Sequence, residues 1–410
     1  MQNFQAALAK NPNAPETRIF LNNALIGNEP SQTIAVSVPI NEEENNYRAL
    51  EMLRGFAHAQ QNLNNNTKAK IKIEIFDDSD KEDKGERIAK QLVDRPDILG
   101  IVGHNSSGVS LAAAEIYNSR QLPFITPMSI SSQLTGNHKP FIFRTNVRGE
   151  VVAQELANFM LNKNKKKKAA IFYVPTSPYS KELQAQFSRK LVSAGGEVVE
   201  SFDLSESSDI NKNLNQAIAK KAEVIVLFPS HKYRKNAWAV LRNRQEQHPN
   251  TVVFGDIATL YSFETLNEAR GAAQGMMLGV SWHIDEKDTP FSRESRNIWQ
   301  SNVNWATATS YNALQAMGTA IQSDPKPART TIRDLLGNMK FAGAAGDFQF
   351  FNGDPNDRVT MVKVEKTSVN RRYSSGTGYD FVPMNPVVST SAPQSFSPQA
   401  SSQQYSRVAF

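Results

Sequence analysis

The chain has 410 residues, 40% hydrophobic and 21% charged, with 46 Lys and Arg against 40 Asp and Glu for a formal charge of +6. That length supports two cores, and no apolar run approaches the ~18 residues that a membrane-spanning helix needs. With no Cys, disulfides, thiolate zinc sites, iron–sulfur clusters and cysteine nucleophiles are excluded.

Read from the start, MQNFQAALAKNPNAP lacks the basic, apolar and small-residue succession of a secretory leader, which leaves a chain that stays inside or a processed segment. Residues 1–31 carry helical spacing broken at Asn-Pro-Asn, like the end of one tetratricopeptide-type unit and the start of another. One such unit cannot bury its own face, so the segment is expected to be a remnant of a longer helical region or a cap on the main body.

From Thr33 the rhythm changes to short β-branched runs alternating with amphipathic helices. The strands TIAVSVPI, KIKIEIF, ILGIVGH and PFITPM enclose YRALEMLRGFAHAQQNLN, ERIAKQLVD and GVSLAAAEIYNSR. This alternation predicts right-handed βαβ units and a mainly parallel sheet. After FIFRTNV the pattern restarts, with strands KAAIFYV, EVVESFDL, EVIVLFP and NTVVFGD separated by three further helices. The expected fold class is therefore α/β, two doubly wound, Rossmann-like lobes meeting at a cleft. MMLGVSW, a long helix from Val303 and the β-rich FQFFNGDPNDRVTMVKVEK return the chain to each lobe, so three strands cross the hinge and opening is a bending motion. The first lobe is expected from 32–146 plus 280–345, and the second from 147–279 plus 346–372. Residues 373–410, rich in Ser, Pro and Gln, are read as a mostly disordered tail whose final YSRVAF has the pattern of a strand.

The basic run Lys163–Lys168 follows an amphipathic helix and precedes a strand. Its reading is a solvated helix end, with no nucleic-acid groove of interleaved aromatics. No HExxH, phosphate-binding Gly-rich loop, GxGxxG or GxSxG is present, and the six His show no metal-ligand spacing. The acidic runs Asn41–Asn46 and Asp77–Asp83 lack the ligand alternation of a calcium loop. No catalysis, cofactor or metal is expected.

Ligands in open α/β sheets bind beyond the carboxyl ends of the strands. There the first lobe places Gly103–Gly108, with Ser106 or Ser107 as N-cap of a helix whose N-terminus suits a carboxylate. Thr126–Ser132, containing Met128, Ser129 and Ile130, faces the same cleft. The second-lobe ends are Pro175–Tyr179, Pro229–Tyr233 with Ser230, and Gly255-Asp256-Ile257. Asp256 is their one carboxylate, either a partner for a ligand ammonium or a helix cap.

Residues 101–135, IVGHNSSGVSLAAAEIYNSRQLPFITPMSISSQLT, together with RGFAHAQQNLN, FIFRTN, SPYSKEL and FFNGDPNDRVTMVKV, resemble leucine/isoleucine/valine-binding members of the type 1 periplasmic-binding family. The likeness runs from about Thr33 to Lys366. It implies a two-lobed clamp that binds a small molecule at the hinge and does no chemistry. By position, it assigns Ser107 to the ligand carboxylate, the Met128 carbonyl to the ammonium and Tyr179 to the aromatic that closes over the ligand. Ile130 stands where the family has Thr or Ser, with Ser129 beside it as a substitute, and Ile257 stands where the family has Glu, one residue from Asp256. Tyr47 is assigned to the wall of the side-chain pocket.

The expected role is an extracytoplasmic or periplasmic solute-binding protein for an amino acid, serving the permease subunits of an ABC uptake transporter. The alternative is a ligand-sensing domain fused to, or partnered with, a larger signalling receptor and using the same clamp.

Overall fold

The computed structural model describes residues 1–41, 46–65, 67, 69–136, 138–356, 358–370 and 373–384. The acids of the 41–46 run after Asn41 and the terminal YSRVAF lie outside the described residues. Two helices, α1 (Gln2–Lys10) and α2 (Pro15–Ile26), precede the first lobe. That lobe runs β1 (Ser31–Val38), α3 (Asn46–Asn65), β2 (Lys70–Asp77), α4 (Glu82–Val93), β3 (Ile98–Gly103), α5 (Ser107–Ser119), β4 (Phe124–Thr126) and β5 (Ile142–Arg144). Its five strands are parallel in the order β2-β1-β3-β4-β5.

The second lobe repeats the plan with α6 (Gly149–Asn158), β6 (Lys168–Tyr173), α7 (Pro178–Ser193), β7 (Glu197–Asp203), α8 (Ile210–Ala219), β8 (Val224–Phe228), α9 (Arg234–Gln247), β9 (Val252–Gly255), α10 (Phe263–Ala269) and β10 (Met277–Val280). The order β7-β6-β8-β9-β10 is that of the first sheet. Both lobes therefore have their topological switch point beside their first strand, and both turn the carboxyl ends of their parallel strands toward the cleft. The strands β3 and β8 are buried along their whole length, as expected for sheets covered by helices on both faces.

The chain then returns through α11 (Pro290–Trp299), α12 (Trp305–Gln322) and α13 (Arg329–Asn338), followed by β11 (Lys340–Phe341), β12 (Phe348–Phe351), β13 (Asp354–Pro355), β14 (Thr360–Lys366) and β15 (Tyr379–Pro383). No helix among the described residues is long and apolar enough to cross a membrane.

The helices α3 and α12 lie side by side and parallel, with Glu51 opposite Thr307 and Leu63 opposite Gly318. Gly55 permits this approach, because a Cβ there would lie 2.4 Å from the Thr307 carbonyl oxygen. The α1–α2 pair caps the other side of α3. Ile19 is fully buried there, the Asn22 amide donates to the Ala57 carbonyl and the Asn23 amide to the Ile73 carbonyl. Of the two expectations for residues 1–31, the cap describes this packing.

Two boundaries differ from those expected. Residues 346–355 were assigned to the second lobe, yet β11-β12-β13 form a separate small sheet in which Phe350 packs on Phe143 and Phe341 of the first. The third crossing therefore comes after Pro355. The tail was assigned as disordered from 373, yet β15 pairs antiparallel with β14 across five positions. Phe381 stacks on Tyr261 at 4.3 Å, and its carbonyl meets the buried His283. The ladder, the Phe381–Tyr261 contact and the His283 hydrogen bond dock a segment whose neighbours read as low-complexity.

At the hinge, buried Arg144 binds Asp354 at 2.7 Å, the Ser131 carbonyl at 2.8 Å and the Thr135 hydroxyl at 2.7 Å, while its backbone N–H donates to the Gly353 carbonyl. This knot ties the first crossing to the approach of the third.

Two stability predictions follow from the packing. Gly55→Ala is expected to cost about 1–3 kcal/mol by overpacking α3 against α12, and Phe381→Ala about 3 kcal/mol, each read by urea unfolding. A neutral Phe381→Ala would mean that β15 contributes no packing.

Candidate functional site

At the carboxyl end of β3, Ser106 caps α5, its hydroxyl accepting the Val109 N–H. The neighbouring Ser107 is buried, and its hydroxyl accepts from that of Ser129 at 3.1 Å. Ser129 is held in turn by the Thr126 hydroxyl through its N–H. The Met128 carbonyl receives the Asn146 side-chain amide at 2.8 Å. Ile130 sits among the buried residues of the second lobe's core, its methyl 3.1 Å from where a Gly149 Cβ would stand. It is thus a packing residue between lobes and does not line a polar cleft.

The α5 N-terminus, expected to hold a ligand carboxylate, already has two of the chain's own acids against it. Asp80 accepts the Ser106 N–H at 3.1 Å and the Asn105 amide at 3.2 Å. The Glu82 carboxylate lies over Gly108, where a Cβ would fall 2.4 Å from its oxygen. The rest of the Asp77–Asp83 run is equally committed. Asp77 accepts from Ser79 and Asn41. Asp78 meets His104 at 2.8 Å and Ser37 at 2.9 Å. Burial pushes the Asp78 carboxyl up, but hydrogen bonding and charge from His104, with the Asp80 N–H and Ser37, outweigh it and hold its pKa below the usual value. Asp78 and Asp80 are thus the acceptors that tie the loop after β2 to the end of β3 and the start of α5.

Across the cleft, α7 begins with Ser177 as N-cap and Pro178 in its first turn, a favoured helix start. The Ser180 hydroxyl donates to the Phe228 carbonyl and accepts the Val174 N–H, which fixes Tyr179 over the ends of β6 and β8. The Tyr179 hydroxyl donates to Asp256 at 2.7 Å, and the same carboxylate accepts the Thr259 and Leu260 N–H groups at 2.8 and 3.1 Å. Asp256 is therefore a turn cap and a partner of Tyr179 at once. It is 1% exposed, and burial raises its pKa to about 6 against the hydrogen bonds that lower it. Ile257 is fully buried in the core. Ser230 is half-buried ahead of a single tight turn, its carbonyl accepting the Tyr233 N–H.

Tyr47 stands in the first turn of α3, its hydroxyl accepting from the Asn304 amide at 2.7 Å. Burial, then the charges of Glu51 and Glu264, push its pKa well up. Beside it is Arg48, which the sequence analysis did not single out. Its guanidinium stacks on Trp305, 5.0 Å from the ring centroid, and faces Asp256, Tyr179 and Glu264 from the other lobe. His231 also feels its charge: burial, then Arg48 and Arg234, hold that imidazole well below its usual pKa and neutral. The two lobes touch around this cluster, Ser132 donating through both N–H and hydroxyl to Glu182 of α7.

Residues 48–369 match the periplasmic binding protein family. The chain belongs to that family. Among characterised relatives, an amino acid binding protein of Pseudomonas aeruginosa is 29% identical over 104 residues, 25% of this chain and 28% of the relative, so the match spans little more than a quarter of that protein. A leucine binding protein of Thermotoga maritima superposes with a TM-score of 0.74 at 19% identity, covering 87% of this chain and 99% of the other. The branched-chain amino acid transporter substrate binding protein of Streptococcus pneumoniae, in complex with isoleucine, gives 0.72 at 16% identity, with 86% and 99% covered. A solute binding protein of Rhodopseudomonas palustris in complex with p-hydroxybenzoic acid gives 0.72 at 15% identity, with 82% and 94% covered. These likenesses establish the two-lobed periplasmic binding protein fold.

The raised Asp256 pKa sets a pH signature. The folded state binds this proton more tightly than the unfolded chain, so the group's contribution is complete below about 3.8 and lost as pH rises through about 6. Between pH 4 and 7.5 the wild type is expected to lose about 2 kcal/mol relative to Asp256→Asn. Parallel pH profiles of the two proteins in urea unfolding would contradict this.

Proposed function

We propose that this chain is an extracytoplasmic solute-binding protein that closes its lobes on a small polar ligand, an amino acid of branched-chain type or similar, for an ABC uptake transporter. The observation that carries the reading is the family match over most of the chain, supported by a hydrogen-bonded Tyr179–Asp256 pair in the second lobe and a Ser107–Ser129 pair in the first. Transporter-linked relatives in the same fold are described in complex with isoleucine and with a hydroxybenzoic acid, which sets the size of ligand considered.

In this reading Ser107, Ser129, the Met128 carbonyl and Tyr47 form the first-lobe wall. Tyr179, Asp256 and Ser230 form the second. Ionised Asp256 takes the ligand ammonium, and Tyr179 is the aromatic that comes down with closure. Ligand bridging both walls favours the closed state by its differential affinity, and the hinge responds by population shift. The permease would read the closed surface. A sensing role within a larger signalling protein uses the same closure, and the docked α1–α2 cap, which lies outside the matched residues, is the observation that favours it.

The test is calorimetry and thermal shift on protein stripped of endogenous ligand, with L-leucine, L-isoleucine and L-valine as probes. A ligand at 100 times its Kd adds about 2.7 kcal/mol, a shift of a few degrees. Asp256→Ala is expected to weaken binding about 10- to 100-fold by removing a charged hydrogen-bond partner. Wild-type affinity is expected to fall as pH drops below about 6, where Asp256 takes up a proton. Affinity that is flat from pH 8 to 5 would remove Asp256 from the ligand contact.

A further inference from the structure

A buried guanidinium requires acceptors, because desolvating a charge without pairing it is among the costliest arrangements in a protein. Arg48 is 1% exposed, and neither of its terminal amino groups has a hydrogen-bond partner among the described residues. Its neighbours account for this. Glu51, one turn along α3, is taken by Arg54 at 2.5 Å and by the Thr307 hydroxyl, with the Asn304 N–H at 3.4 Å. Both Asp256 oxygens are engaged by Tyr179, Thr259 and Leu260, so Asp256 balances the charge of Arg48 across the cleft without bonding to it. Trp305 supplies a ring face beneath the guanidinium, which holds the plane and leaves its edge of N–H donors free.

Meanwhile the pole assumed for a ligand carboxylate, the α5 N-terminus, already has Asp80 on the Ser106 N–H and the Glu82 carboxylate beside Gly108, and the Ser107 hydroxyl is paired with Ser129. Among the described residues, Arg48 is therefore a cleft cation whose terminal amino groups no carboxylate meets by a hydrogen bond, although Asp256 and Glu264 lie opposite it.

We propose that Arg48 is the carboxylate receptor of the interlobe cleft, and that the ligands it selects are small organic acids, amino acids included, held by two N–H donors of the guanidinium. The proposal rests on the clamp reading and sharpens it. The ligand carboxylate is held from α3 and not from α5, and the Asp256–Tyr179 pair opposite receives the ammonium or a hydroxyl. Paired N–H donors match the two oxygens of a carboxylate. A Lys keeps the charge but loses the fork.

The experiment uses the full chain, stripped of ligand, with L-leucine, L-leucinamide and 4-methylpentanoate as probes. These are the intact amino acid, its uncharged carboxamide and its deaminated acid. In the wild type, leucine and 4-methylpentanoate are expected to bind, and leucinamide to bind at least about 10-fold more weakly than leucine. Arg48→Met is expected to weaken leucine about 10- to 100-fold and Arg48→Lys about 10-fold. Arg48→Met is also expected to leave the ligand-free melting temperature nearly unchanged, since it removes a buried guanidinium whose terminal amino groups make no hydrogen bond and keeps the side-chain volume.

Leucinamide binding as tightly as leucine would overturn the proposal without any variant. So would leucine affinity that is lost in Ser107→Ala and retained in Arg48→Met. Both results leave the clamp standing. If none of the three probes binds the wild type, the amino-acid clamp itself is wrong and the proposal falls with it.

Discussion

The cleft depends on how closely α3 and α12 can approach. Gly55 has no side chain where the Thr307 carbonyl lies, and that one missing methyl group lets two long helices run in parallel with their first turns side by side. Everything the first lobe presents from this corner follows: Tyr47 meets Asn304, Glu51 meets Thr307, and Arg48 stacks on Trp305. With a wider spacing Glu51 would lose its hold on the start of α12. The packing therefore decides where Glu51 places its carboxylate, on Arg54 and the first turn of α12.

Closure is constrained by a second feature, the triple connection. Parallel sheets with the same strand order in both lobes aim their carboxyl ends at one crevice, but orientation alone does not hold two bodies in register. Arg144 does so by joining Asp354, Thr135 and Ser131, so the first crossing and the approach to the third move as one piece. A bending hinge of this kind preserves the lateral alignment of Asp256 with the first lobe while its distance changes.

Much of this was legible in the sequence, for reasons that can be named. Buried parallel strands read as continuous β-branched runs, and the restart after FIFRTNV marked the second lobe. The rule that ligands sit beyond strand ends singled out Ser107 and Ser129, which hydrogen-bond each other, and Tyr179 and Asp256, which do so as well. Arg48 was missed because it lies in the first turn of an amphipathic helix, in a pattern, YRALEMLR, where cations ordinarily face solvent; only tertiary packing buries it. Asp80 and Glu82 sit in an acidic run weighed only as a calcium loop, and nothing in their spacing shows that they fold back on α5. The strand Tyr379–Pro383 was hidden by Gly and Ser around it, although Tyr379 and Phe381 alternate as a half-buried strand does. Ile130 was misplaced because a loop residue between polar neighbours gives no sign of which lobe's core it enters.

The way the lobes share the chain also has a consequence during synthesis. A chain leaves the ribosome from its N-terminus and folds as it goes, so the first sheet, complete at Arg144, can assemble early. The surface of α3 around Gly55, however, is sealed only by α12, which begins at Trp305, after the whole parallel sheet of the second lobe has been made. Until then a half-formed lobe carries an uncovered apolar seam. The first lobe therefore stays incomplete while the whole second sheet is synthesised.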